Sequence, residues 1–454
     1  MSNPPAAVTS SDLAGRRFGH RVRRALSWGR VFRAVSYARS ALWLVPLVAI
    51  VVVLVLAPVI RVLDRWLGWN FTNLAVDGAQ ALCNTVITLT LSFVVFTFGS
   101  LLVALQVAGG QLTPRIIATT LLRDNVVRYS VGLFVFTLVL AVMTLNRLTA
   151  QVPQMLLSLI GLLGISCMTV FLFFIDYAAR LLRPVTVVSR LGAEGLKVLD
   201  LAYPDLLPGD GRDAEPAPLA GPVTREVLHE EASEIILAVD VPTLVEAARA
   251  EGGVVEIVPQ VGDFLAFGQA LYRLHGRASA IDDTTLREAV AFGTERTLEQ
   301  DPIFAFRILV DIALKALSPA INDPTTAVLA LDQIHRLLRI VGQRKLQSDA
   351  FRDDAGALRL VLRTPGWEDF VHISCCEIRA CGANSMQVAR RLAAMFEDLC
   401  SVLAPSRRPA LEQQYALLQR SVMTYFPMPE DLALARVPDV QGMGGTPGVR
   451  RPGP

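Results

Sequence analysis

Residues 83–114 carry no charged side chain, and neither do residues 41–60. Stretches of that kind fit a bilayer, whose roughly 30 Å hydrocarbon layer takes about 20 apolar residues to cross as a helix. Four runs meet or approach that length: 41–60, 83–107, 129–145 and 153–177, the third being the shortest. Each must be helical in lipid, which offers no partner to a free backbone amide. Residues 205–454 read as ordinary water-soluble sequence. The chain is 19% charged, against about a quarter in soluble proteins, and the shortfall lies in the N-terminal part. The expected fold is a membrane α-helical bundle of about four transmembrane helices plus a cytoplasmic α+β domain. That domain holds a small β-unit and a mostly helical C-terminal part.

The arginines set the expected orientation. Arg16, Arg17, Arg21, Arg23, Arg24, Arg30, Arg33 and Arg39 precede the first run. Arg115, Arg123 and Arg128 lie between the second and third, and Arg180, Arg183 and Arg190 follow the fourth. The other two connections hold only Arg61, Arg65 and Arg147. An excess of positive charge marks the cytoplasmic side, so both termini are expected there, in the plasma (inner) membrane. The first run is too long for a signal-peptide core and reads as an anchor. Interleaved aromatics in the basic arm before it allow an amphipathic helix on anionic lipid, or a disordered arm that only sets topology.

The domain expectation is a basic arm over 1–40, a four-helix membrane domain over 41–183 and a linker over 184–222. A β-rich unit follows over 223–277, then a mainly helical domain over 278–430 and a disordered tail over 431–454. Net charge is +2, which gives no case for a nucleic-acid partner. Of the 43 basic residues only Lys197, Lys315 and Lys345 are lysines, a bias that fits a GC-rich bacterial genome. The partner expected outright is the lipid bilayer, with a homo-oligomer as a further candidate.

Hydroxyl groups recur along the second run at Thr85, Thr88, Thr90, Ser92, Thr97 and Ser100, which suits helix packing in lipid. Gln106 and Gln111 bracket Gly109-Gly110, where a helix break is expected. With Arg115 beyond them, they are the candidates for a membrane path, against packing on a partner helix. Asp176, the one carboxylate expected near a span interior, has Arg180 at i+4.

In the second half, strands are expected around 233–239 and on both sides of the turn holding Gly262, Asp263 and Gly268. VVEIV-PQVGDFLAFGQ-ALYRL resembles half of a lipoyl-type barrel, but no lysine lies between 198 and 314 to carry a cofactor. Residues 282–339 have helical periodicity, broken once by SPAINDPTT at 318–326. Asp323 can cap the following helix, with Pro324 at its first position and Asn322 in the turn. The other reading makes Asn322, Asp323, Thr325 and Thr326 a pocket for a ligand or cation. Asp301-Pro302 is a second cap of the same design. Arg307, Asp311 and Lys315, spaced by four, read as an exposed ion-pair ladder or as a mixed-charge site facing the Asn322 loop. His372, Cys375, Cys376 and Cys381 lack the paired knuckles of a zinc site. All six cysteines read as free thiols, and no metal or cofactor is assigned.

ALQVAGGQLTPRII (104–117), DPIFAFRILVDIALKALSPAINDPTTAVLALD (301–332) and TPGWEDFVHISCCEIRACGANSMQVARRL (364–392) together resemble a bacterial family. It comprises predicted membrane proteins with domain of unknown function 2254, and the likeness runs from about residue 40 to 430. The resemblance implies a plasma-membrane protein with N-terminal spans and a cytoplasmic domain, and brings no catalytic residue. No phosphate loop, Gly-x-Ser-x-Gly or His-Glu-x-x-His occurs, so the expectation is not an enzyme. The leading functional expectation is an oligomeric channel or transport-like assembly with a gating or sensing domain. A membrane-tethered structural or ligand-sensing protein without a pore is the alternative.

Overall fold

A computed structural model of the chain describes residues 28–67, 74–111, 124–148, 152–181, 183–208, 221–346 and 349–443. It divides into two compact units. One holds Ala38–Leu191 and Lys315–Leu329; the other holds Gly192–Leu314, Ala330–Pro454 and the described part of Met1–Tyr37.

Four helices of the first unit are long and apolar enough to cross a membrane: α2 (Leu44–Leu67), α3 (Val76–Gln111), α4 (Asn125–Leu145) and α5 (Gln154–Leu181). Their shared interior is filled by Val53, Ala57, Cys83, Val86, Leu140, Leu156 and Ile160. Further along, Phe93 stacks on Phe171 at 4.1 Å and tilts against Phe134 at 5.6 Å. Val51, Val55, Leu102, Leu162 and Ile165 are exposed on the outside, the arrangement that suits hydrocarbon.

The hydroxyls of α3 are satisfied on their own helix. Thr85, Thr88, Thr90, Ser92 and Thr97 each donate to the carbonyl four residues back, and Ser100 to the one three back. The expected Gly109-Gly110 break does not occur, since α3 runs unbroken to Gln111. Gln106 is exposed on it. The Gln111 side chain and Arg115 lie outside the described residues.

At one end of this bundle Asp124 caps α4, its Oδ1 accepting from the Val126 and Val127 amides at 2.9 and 3.2 Å. Its Oδ2 accepts from the Tyr177 hydroxyl and, at 2.6 Å, from Arg190. Near the opposite ends of the helices, Asp64 accepts from the Met155 amide at 3.1 Å, and Gln154 bonds both backbone groups of Leu74. Asp176 is therefore not the sole carboxylate near a span. Its pair with Arg180 is exposed on both sides, whereas Asp124 is 1% exposed.

The second unit is α+β. β1 (Val223–Leu228), β5 (Ala270–His275), β3 (Val254–Ile257), β8 (Leu358–Leu362) and β7 (Ala350–Arg352) form a five-stranded sheet in that order. Only the β3–β8 pair is parallel. A three-stranded sheet runs β4 (Phe264–Leu265), β2 (Glu234–Val239), β6 (Val290–Gly293). Between them lies one core containing Ile236, Val255, Leu271, Tyr272, Leu274 and Leu360, closed by α7 (Val241–Glu251) and α8 (Asp283–Glu288). The β-unit is thus wider than 223–277: β6, β7 and β8 come from sequence read as helical or left without a strand. An apolar run as short as VAFG does not declare its period.

The remaining helices are α6 (Pro184–Ala202), α9 (Pro302–Ala316), α10 (Pro324–Val341), α11 (Trp367–Gly382), α12 (Met386–Val402), α13 (Arg408–Tyr425) and α14 (Pro429–Ala435). Two expected irregular segments are in part folded. The linker begins with α6, because Pro184 opens a helix rather than breaking one; Val187, Val188, Leu191, Val198 and Leu199 are buried along it. The tail holds α14, and past it the buried Arg390 donates to the Val437 carbonyl at 2.9 Å while the Asp439 amide donates back to Arg390. Residues 209–220 and 444–454 lie outside the described residues.

The basic arm is helical over α1 (Trp28–Ser40), and residues 1–27 lie outside the described set. Trp28 stacks on Phe32 at 5.4 Å, and both pack on Leu237, Ala238 and Ala291 of the small sheet. Gly29 is required there, since a Cβ would come within 2.7 Å of the Val290 carbonyl oxygen.

Candidate functional site

The 318–326 stretch adopts its capping form. Asn322 sits at φ 48°, a left-handed conformation that asparagine tolerates. Asp323 accepts from the Thr326 amide at 3.0 Å and from its hydroxyl, and Pro324 opens α10. Asn322 and Thr325 are exposed, Thr326 is buried, and none of the four lines a described cavity.

Arg307 and Asp311 do pair, but not in an exposed ladder. Arg307, 21% exposed, bonds Asp311 and reaches across to both carboxylate oxygens of Glu377 on α11, at 2.6 and 2.9 Å. The Arg307 guanidinium holds the Glu377 carboxyl below the usual range. Lys315 is exposed and outside this triad. Of the cysteines in the metal-like cluster, Cys375 is fully buried, which pushes its thiol far up. Such a thiol behaves as core.

Asp301, read from sequence only as a cap, borders a cleft of about 320 Å³ in the α+β unit. Its Oδ1 accepts from the Phe304 amide at 3.2 Å, capping α9 as expected. Its Oδ2 accepts from Arg296 Nε at 2.8 Å and lies 2.7 Å from Arg296 Nη2 in an ion pair. Gly262 of the V-G-D turn covers this pair. It has φ 93°, and a Cβ there would lie 2.5 Å from Asp301 Oδ2. Burial pushes the Asp301 carboxyl up, against the opposing pull of Arg296 and the Phe304 amide.

Tyr203, Gln260, Gln300 and Thr364 add polar groups to the cleft, and Val198, Leu201, Val241 and Leu362 form apolar walls. Tyr203 is 2% exposed, and its burial, next to Asp301, Asp369 and Asp349, raises its phenol well above the ordinary value. It therefore stays a protonated donor. Gln300 is held by the Val239 amide at 3.0 Å. An apolar pocket with a few convergent polar groups and a perturbed acid is what small-molecule sites share.

One further cluster went unseen in the sequence. His335 lies between Arg391, which donates to its Nδ1 at 3.0 Å, and Asp398, 2.8 Å from its Nε2. A guanidinium can only donate, so Nδ1 accepts and Nε2–H donates to Asp398. Arg391 also bonds Asp332, and Arg339 also bonds Asp398. The signal was available: i, i+3 and i+7 spacing puts Asp332, His335 and Arg339 on one face of α10.

Burial lowers the His335 pKa, helped by Arg391 and Arg339 and opposed by Asp398. A base whose folded pKa lies below its unfolded value gives stability above that unfolded value and loses it as pH falls. The unfolding free energy should therefore decline on acidification below about pH 6.5, by at most about 1.4 kcal/mol per pH unit from this group. His335→Gln should flatten that decline; an identical pH profile in the variant would remove His335 as its source.

Uncharacterized proteins Rv1290c of Mycobacterium tuberculosis and Mb1321c of Mycobacterium bovis are each 26% identical to the chain over 436 residues. Each alignment covers 91% of this chain and 83% of the relative. No solved structure matches it. The pattern defining the family described as Predicted membrane protein (DUF2254) matches residues 39–398, and the chain belongs to that family.

Proposed function

We propose that this is a membrane-anchored ligand-binding protein. Its α+β unit lies on the cytoplasmic side of the plasma membrane and takes a small polar molecule into the cleft at Asp301 and Tyr203. The observation carrying this reading is the cleft itself, with a buried acid, a protonated phenol and two amides over apolar walls. The cytoplasmic placement rests on the arginine asymmetry around the spans. The bundle supports an anchor, since its interior is packed with apolar side chains and its α3 hydroxyls are bonded within the helix.

An oligomeric channel or transporter is the second reading, favoured by one observation. Thr85, Thr88, Ser92 and Gln106 are exposed on α3, and polar groups on a span seek a partner helix or water. A path along them would need several copies.

Thermal unfolding of the nanodisc-embedded chain against a panel of small polar metabolites tests the first reading. A ligand at 100 times its Kd should add about 2.7 kcal/mol, and Leu201→Trp, at an exposed wall position, should erase that gain. A panel without any shift, or a shift untouched by Leu201→Trp, would sink it. A closed oligomer that conducts a solute would instead establish the second.

A further inference from the structure

The α1 helix divides its side chains by what the small sheet leaves available. Trp28, Gly29 and Phe32 face the sheet, and Ser36, one turn on, donates to Glu299 at 3.1 Å. Arg30 and Arg33, spaced i and i+3, share another side. Both are exposed, and neither makes an ion pair among the described residues. They border a second cleft, of about 250 Å³, that shares no residue with the one at Asp301.

Thr284, Arg287 and Glu288 of α8 and His229 line the same cleft. Arg287 is tied to Glu230 at 3.0 Å. His229 is buried, its Nε2 2.8 Å from the Ala232 carbonyl and its ring against Phe292 at 4.8 Å. That leaves two unpaired guanidiniums on one side. In the same cleft, Glu288 Oε1 is buried without a hydrogen-bond partner among the described residues. Guanidinium forks match the oxygens of a phosphate. A buried carboxylate oxygen without a donor is costly and calls for an N–H or O–H.

We propose that this cleft binds a phosphate ester bearing a primary ammonium: Arg30 and Arg33 take the phosphate, and Glu288 takes the ammonium. A membrane phospholipid headgroup and a free phosphoamine share that chemistry. Along the chain, α1 ends at Ser40 and the first span begins at Leu44. Unlike the reading for the Asp301 cleft, this one needs no unknown metabolite.

The test uses the full chain in phosphatidylcholine nanodiscs, titrated calorimetrically with glycerophosphoethanolamine. A parallel arm follows amide exchange over residues 28–36 and 284–291 when phosphatidylethanolamine replaces part of the lipid. Binding in the first arm identifies a soluble ligand, and protection only in the second identifies the headgroup; either supports the site. Arg30→Gln with Arg33→Gln should weaken binding at least tenfold without moving the unfolding midpoint, since both side chains are exposed. Glycerophosphocholine has no N–H to offer Glu288 and should bind at least tenfold more weakly than the ethanolamine compound, a preference that Glu288→Gln should narrow. Leu201→Trp in the other cleft should change none of this. The proposal falls if neither arm responds, if the double variant binds as well as the parent, or if Glu288→Gln keeps the full preference.

Discussion

Asp124→Ala should cost the span bundle about 3–5 kcal/mol, the largest loss we expect from any single substitution here. The wild-type carboxylate is buried and serves three groups: the first-turn amides of α4, the Tyr177 hydroxyl and Arg190. Alanine removes the cap, worth about 1 kcal/mol, and leaves a half-buried guanidinium without its counter-charge. Asp124→Asn separates the two contributions. Asparagine caps nearly as well, so its loss should fall short of alanine's by about the cap alone. Arg190→Ala strands the carboxylate instead, and with Asp124→Ala should form a strongly non-additive pair. Denaturant unfolding in nanodiscs reads all four corners. A loss under about 1 kcal/mol for Asp124→Ala would place the pair among ordinary surface ion pairs and contradict its burial.

Asp301→Ala should destabilise the α+β unit by about 2–4 kcal/mol, because a cap and an ion-pair partner go together. Asp301→Asn should be milder. It keeps one carbonyl oxygen, enough to cap through the Phe304 amide but not to accept from Arg296 as well, and it escapes the penalty of burying a charge. The carboxyl's pKa is raised in the fold, so its contribution is full below the unfolded value and is lost as pH rises through the folded one. The asparagine variant should lack that decline. If Asp301→Asn proves as damaging as alanine, ionisation of Asp301 is essential to the fold, contrary to the direction of its shift. Either variant should also weaken any ligand found for the adjoining cleft.

The elements legible in the sequence were those whose cause is local. The spans announced themselves through length and absence of charge, and α3, α4 and α5 occur where those runs lie. Capping is equally local: Asp301 and Asp323 hold amides three residues on, and the chemistry of Asp-Pro sufficed to expect it. The antiparallel β3–β5 pair followed from a turn within one short stretch.

What sequence reading missed depends on residues far apart. β8 joins β3 across about 100 residues, and β6 joins β2 through a four-residue run that reads equally well as helix. The role of Glu377 on Arg307 needed the approach of α11 to α9. His335 needed Arg391 and Asp398 from α12 to fix its tautomer, and Arg30 and Arg33 needed Gly29 to bring α1 down on Val290. The sequence by itself determined a membrane-spanning chain with its helix starts and family, because hydrocarbon, backbone amides and caps act within a few residues. Tertiary structure alone decided which charges are buried, which carboxylates find an arginine and where the clefts open, because burial and pairing are properties of neighbours in space.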